Sequence, residues 1–225
     1  PRQRPEYELS AMLDIAKEQE YKFKNVEAND VYDWFIEQAK KRFRKRKQKV
    51  VVHEANWMDL PEAKPAYSRK FDFAFLTGNS LTYVGGGTRE YTKKALRSIV
   101  RKFAKMVKKN GYLFIDTRNF DYIKSLMHLP KKDIMKNFSF DQTVYYHGAF
   151  NEITVFPAYI SDTVVVFHYY DREKKVWSKL DYFPIYQKDM LEILSREFKV
   201  ERVFYDFEKR RKRKSLFVQY LVRKK

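Results

Sequence analysis

Residues 71–123, FDFAFLTGNSLTYVGGGTREYTKKALRSIVRKFAKMVKKNGYLFIDTRNFDYI, decide the fold. An apolar run ends in a polar Gly-Asn-Ser turn, and after three glycines Leu96, Ile99, Val100, Phe103, Met106 and Val107 recur at helical spacing with Lys and Arg opposite. Lys-Lys-Asn-Gly at 108–111 reads as a positive last turn with a C′ glycine, and residues 112–117 as a second apolar strand. This is one βαβ unit. Ligands of open α/β sheets bind beyond the carboxyl ends of parallel strands, so Asn79 and Ser80 after the first strand, and Arg118 and Asn119 after the second, are the first candidates for a site.

Upstream, residues 8–16 (ELSAMLDIA) have helical content, yet MLDIA fits equally a short buried strand. Residues 23–27 (FKNVE) read as a short strand. Asp30 is a natural N-cap for a helix to about residue 46, whose Val31, Trp34, Phe35 and Ala39 share a face. Residues 50–54 (VVVHE) form a buried strand leading into Asn56 and Trp57. Downstream, a short helix is expected over 120–127. From about 137 the period changes to two, in FSFDQTVYYHG, EITVFPAYIS, TVVVFHYYDRE and KVWSKLDYFPI. Residues 187–198 return to helical spacing, and strands at 200–207 and 216–222 flank a KRRKRK loop. The sum is one α/β domain over 1–225: a mostly parallel sheet closed by an antiparallel C-terminal hairpin, with a small antiparallel β elaboration at 137–186 covering the site.

The chain has 225 residues, and 44% apolar content suffices for a packed core. No run of 18 apolar residues is present, and PRQRPEYE has no apolar signal centre, so a cytoplasmic location without membrane insertion is expected. With no cysteine, disulfides, thiolate metal sites and cysteine nucleophiles are excluded. Four scattered histidines show no ligand spacing, so no metal is expected. Gly85, Gly86 and Gly87 lack the G-x-x-x-x-G-K-[ST] pattern and read as an ordinary loop. The net charge of +18 attracts polyanions and is concentrated in KKRFRKRKQK at 40–49 and KRRKRK at 209–214. A solvated surface is the preferred reading of both runs, and a nucleic-acid footprint the second.

Four stretches carry a family resemblance: HEANWMDL at 53–60, FDFAFLTGNSLTYV at 71–84, KNGYLFIDTRNFDYI at 109–123 and, more weakly, the tail from KLDYFPI through VFYDFEK to QYLVRKK. Over roughly residues 23–225 the chain resembles S-adenosylmethionine-dependent methyltransferases of the Rossmann-like class, most closely the glycine and glycine/sarcosine N-methyltransferases. The resemblance implies S-adenosylmethionine as cofactor, a small amino acid such as glycine or sarcosine as methyl acceptor, and self-association. It implies direct displacement by the unprotonated amine, without metal or covalent intermediate.

Site residues follow by position in those motifs. On the cofactor side, the resemblance places Glu27 at a strand end for the ribose hydroxyls, Asn56 and Trp57 for the adenine, and Thr77, Gly78 and Tyr83 around the turn. On the acceptor side it places Asn79 and Arg118 for the substrate carboxylate, where a guanidinium fork supplies a bidentate pair. Tyr146, Tyr169 and Tyr182 fall on the late strands that cover the pocket. Structural roles compete: Arg118 pairing with Asp116 or Asp121, Asn79 serving turn chemistry, Trp57 as partly buried core, and the strand tyrosines as core and rim.

One motif of the family is absent. No glycine precedes Gly78, and relative to the family about a dozen residues are missing between Ala16 and Lys17, where a strand would run into a glycine-rich turn. Three accounts are open: an omitted segment, loss of cofactor binding, or residues 8–16 serving as an upstream helix with the first strand missing.

Overall fold

The computed structural model describes residues 5–62, 65–86, 88–146, 149–208 and 214–225. The KRRKRK loop therefore lies largely outside the described residues. The chain runs α1 (Pro5–Glu18), β1 (Glu27–Asp30), α2 (Asp33–Lys45), β2 (Val51–Glu54), β3 (Phe71–Leu76), α3 (Arg89–Met106), β4 (Val107–Arg118), α4 (Phe120–Ser125), α5 (Lys131–Phe138), β5 (Phe140–Tyr146), β6 (Ala149–Ile160), β7 (Val165–Asp171), β8 (Val176–Tyr182), α6 (Gln187–Leu194), β9 (Phe198–Tyr205) and β10 (Phe217–Lys224). Short 3-10 turns follow β2 and β3.

The strands of the described residues form three sheets. β1 and β2 pair in parallel; β3, β4, β10 and β9 form a second sheet in that order; β5 to β8 form an antiparallel meander. β3 and β4 are parallel, and β10 enters between β4 and β9 antiparallel to both, which is the C-terminal hairpin expected from the sequence. β1 and β3 each have one open edge, with no strand between them among the described residues.

Three cores hold these layers. The apolar stripe of α3 packs with α6 on the β3–β4–β10–β9 sheet, burying Leu96, Ile99, Val100 and Phe103 against Leu113, Ile115 and Tyr220. The meander closes on α4 and α5 through Phe120, Ile123, Phe138, Phe167 and Tyr182. Leu9, Met12 and Leu13 join Ala39, Phe43 and Val52 in the third.

That third cluster decides the reading of MLDIA. Leu9, Met12, Leu13 and Ala16 share one helical face, and Gln19 and Tyr21 donate back to the Ile15 and Ala16 carbonyls at 3.0 and 2.7 Å. Residues 8–16 are helix. Other expectations shift for identifiable reasons. Asp30 does not cap α2: its Oδ1 accepts the N–H groups of Val31 and Tyr32, and the helix starts at Asp33. α3 ends at Met106 and passes directly into β4, so Gly111 is no helix stop. The β3–β4 register jumps from Phe71↔Val107 to Phe73↔Tyr112, and a Cβ at Gly111 would meet the Asp72 carbonyl at 2.9 Å. Glycine is required there by close approach of two strands. The strand expected at 23–27 forms at 27–30, and α5 was not anticipated.

Candidate active site

Parallel pairing of β3 and β4 brings their carboxyl ends together, with Leu76 opposite Ile115. Beyond β3 the backbone turns through the left-handed region at Gly78 (φ 77°) and Asn79 (φ 59°), conformations that Gly and Asn tolerate best. The turn lays Asn79 back on β4. Its N–H donates to Asp116 Oδ1 at 3.0 Å, and its Oδ1 accepts the Arg118 backbone N–H at 2.8 Å. All three residues are buried.

Arg118 is only 7% exposed, with its guanidinium 5.0 Å from the Phe167 ring and 5.2 Å from the Phe217 ring. A cation in so dry a setting attracts a small anion far more strongly than one in water. Beside it runs a chain of phenols. The Tyr182 hydroxyl is 2.6 Å from that of Tyr169 and 3.1 Å from that of Tyr83. Burial, then the neighbouring Tyr169, push the Tyr182 phenol above its ordinary value, and the Arg118 charge pulls the other way. The Tyr182 phenol therefore stays neutral.

The structure thus brings Asn79, Arg118, Tyr169 and Tyr182 together. Tyr146 closes β5 opposite Ala149, but its side chain lies outside the described residues. Tyr83, expected at the cofactor, reaches the phenol chain. Ser80 lines the neighbouring cleft and its Oγ donates to the Thr77 carbonyl, while Asn119 caps α4 through Tyr122 N–H and donates to the Ser215 carbonyl.

Next to this cluster, a cleft of about 470 Å³ separates the open edges of β1 and β3. Leu9, Ile36 and Ala39 line it, as do Leu60, Phe103 and Met106. At the carboxyl end of β1 and β3 stand Asp30, Asn56, Trp57, Thr77 and Gly78. The Ala55 N–H donates to the Asp30 carbonyl and Asn29 Nδ2 to the Ala55 carbonyl, which wraps the chain after β2 onto the end of β1. Asn56 Oδ1 then caps the 3-10 turn through the Met58 N–H, and the Trp57 ring stacks over Phe103 at 6.1 Å. Thr77 Oγ1 is buried with no hydrogen-bond partner among the described residues.

Glu27 requires a correction of place. It opens β1 instead of ending it, and its carboxylate bonds to Lys70, His53 and Tyr67. Burial pushes its pKa up, but hydrogen bonds from Lys70, Tyr67 and His53 outweigh that and hold it below the ordinary carboxylate value. The acid at the carboxyl end of β1 is Asp30, because the strand ends three residues later than the 23–27 pattern predicts. Reading VEAND as the strand would have put the second acid at its end.

Among the described residues no helix is long and apolar enough to cross a membrane, and no group of three His, Asp or Glu side chains is placed to hold a metal ion.

No family model matches the chain. Among curated proteins it is similar to glycine N-methyltransferase of Rattus norvegicus, at 34% identity over 106 residues, covering 45% of this chain and 35% of that protein. It is also similar to glycine/sarcosine N-methyltransferase of Aphanothece halophytica, at 24% identity over 165 residues, covering 73% of this chain and 55% of that protein. The chain thus spans about a third to a half of the length of these relatives. Among solved structures, an S-adenosylmethionine-dependent methyltransferase from Clostridium acetobutylicum superposes with a TM-score of 0.58 at 16% identity, covering 89% of this chain and 75% of that one. The fold is the Rossmann-like methyltransferase fold.

Proposed function

We propose that the chain is an S-adenosylmethionine-dependent N-methyltransferase acting on glycine, sarcosine or a similar small amino acid. The observation that carries this reading is Arg118: a buried guanidinium at the carboxyl end of β4, 5.0 and 5.2 Å from the Phe167 and Phe217 rings and beside the Tyr169–Tyr182 phenols. The curated relatives, glycine and glycine/sarcosine N-methyltransferases, support the same choice.

The residues at the neighbouring cleft suit the cofactor's adenosyl end. Trp57 offers a ring face, Asn56 an amide, and Asp30 a carboxylate whose Oδ2 is left over after Oδ1 serves the turn. Thr77 supplies a hydroxyl with no mate among the described residues, and Gly78 lets a ligand approach the backbone. The glycine-rich turn of the family is not among the residues that line this cleft. When bound, the cofactor supplies a methyl group on a sulfonium sulfur. The chain's own residues hold the acceptor by its carboxylate at Arg118, orient its amine with the Tyr169–Tyr182–Tyr83 hydroxyls and keep water out. Rate enhancement then comes from positioning and dehydration rather than from a strong acid or base.

Calorimetric titration with S-adenosylmethionine, followed by transfer of a labelled methyl to glycine and to sarcosine, tests this. Binding followed by transfer is the expected result. No heat at millimolar cofactor would overturn it.

A further inference from the structure

The amino ends of β1 and β2 emerge on one side because the two strands are parallel, opposite the end that carries Asp30 and Asn56. Two loops meet there, residues 19–26 and 46–50. The Val51 N–H donates to the Val26 carbonyl at 3.0 Å. Gln48 Nε2 donates to the Ser10 carbonyl at 2.9 Å and to Asp14 Oδ1 at 2.7 Å, Ser10 Oγ donates to Gln48 Oε1 at 2.9 Å, and Arg46 pairs with Asp14. The basic run is therefore locked onto α1.

Segments 17–24 and 40–49 together hold 11 Lys and Arg (3 and 8) against two acids, Glu18 and Glu20. Asp14 serves Arg46 and Glu37 serves Lys40. Among the described residues, Lys22, Lys24, Arg44, Lys45, Lys47 and Lys49 have no carboxylate within ion-pair distance. The α3 face is built differently. There Lys93 and Arg97 share Glu192, Lys102 and Lys105 share Glu62, and Arg101 faces Glu197. A merely solvated basic face would be laced with acids in that way; this one is not.

Two aromatic rings stand among these cations. Tyr21 is 69% and Phe23 50% exposed, and the Tyr21 N–H is fixed to the Ala16 carbonyl at 2.7 Å. Cations that track phosphates, interleaved with rings on which unpaired bases stack, are the two elements of single-strand recognition. An anionic bilayer would call for a helix with a free apolar face, whereas Ile36, Ala39 and Phe43 of α2 are buried in the core. We infer that the surface formed by loops 19–26 and 46–50 binds single-stranded nucleic acid, independently of the methyl-transfer site at the opposite strand end.

The test is fluorescence anisotropy of the full chain with a fluorescein-labelled 15-nucleotide oligouridylate between 50 and 300 mM salt. Four contacted phosphates would give a log–log slope of about −3. Replacing Lys22, Lys24, Lys45 and Lys47 together by Ala should weaken binding at least tenfold at low salt and flatten the slope. Tyr21→Ala with Phe23→Ala should weaken binding about tenfold and leave the slope unchanged. All six side chains are exposed, and an unchanged thermal midpoint verifies folding. A control removes the same number of charges elsewhere, at Lys132, Lys136, Lys175 and Lys188. An equal loss in that control, no binding at 50 mM salt, equal affinity for a 15-base-pair duplex, or binding only to phosphatidylserine vesicles would each overturn the inference.

Discussion

The side-chain oxygen of Asn79 accepts the backbone N–H of Arg118 at 2.8 Å, which ties the turn after β3 to the last residue of β4. Both residues are buried, so removing the amide leaves an N–H without a partner and costs about 1–3 kcal/mol. Asn79 is also left-handed, where a Cβ without a local hydrogen bond adds roughly 1–2 kcal/mol. Asn79→Gly removes the bond alone, and Asn79→Ala incurs both penalties. Chemical denaturation should rank wild type above Asn79→Gly above Asn79→Ala. Equal stability of all three would mean the bond holds nothing.

Arg118→Lys keeps the charge and removes the planar fork. If the guanidinium grips the acceptor carboxylate, losing one charge-assisted bond of about 1.5–3 kcal/mol raises KM for that acceptor roughly ten- to a hundredfold. Cofactor affinity should stay unchanged, because the adenosyl-side residues lie at the neighbouring cleft. Steady-state kinetics alongside calorimetry separates the two effects. A parallel loss of cofactor binding would point to general disruption of the β4 end.

Glu27 makes stability pH-dependent. Despite burial, Lys70, Tyr67 and His53 hold its folded pKa below the ordinary 4.5, so the folded state favours the ionised form. Its contribution is complete above about pH 4.5 and fades as pH falls through the lower folded value. Glu27→Gln should therefore be less stable at neutral pH and should lose less on acidification, the two curves converging once pH has fallen below the lowered folded pKa of Glu27. Urea midpoints at pH 7, 5, 4 and 3 give the comparison. Parallel curves would remove Glu27 as the cause.

What the sequence revealed was local periodicity. The α3 stripe and the alternating meander strands were legible because burial on one face repeats at 3.6 or 2 residues. Gly111 was misread because a glycine after Lys-Lys-Asn is equally consistent with a helix stop and with a bulge, and only the approach of the Asp72 carbonyl separates them. The identity of MLDIA was ambiguous for a related reason: its helical face becomes visible only when α2 supplies Ala39 and Phe43 to pack against. The absence of any glycine before Gly78 was legible. The two open strand edges facing a cleft depend on pairing between residues some 40 positions apart and needed the structure. At the site, the chemistry-bearing strand ends were legible as a group of candidates, but Asn79 holding Arg118, and Asp30 at the carboxyl end of β1, follow from register.

Thr77 gives the sharpest test of the donor side. Its Oγ1 is buried and without a partner among the described residues, while the residue lines the cleft beside Gly78. A buried hydroxyl without a hydrogen bond destabilises the fold, so Thr77→Val, nearly equal in shape, should leave stability unchanged or raise it by up to about 1–2 kcal/mol. If that hydroxyl is reserved for the cofactor, the same substitution should weaken S-adenosylmethionine binding about tenfold, the worth of one hydrogen bond of about 1.4 kcal/mol. Stability and affinity would then move in opposite directions, which a packing defect cannot produce. A variant that is less stable and binds cofactor as before would show that Thr77 serves the fold and not the ligand.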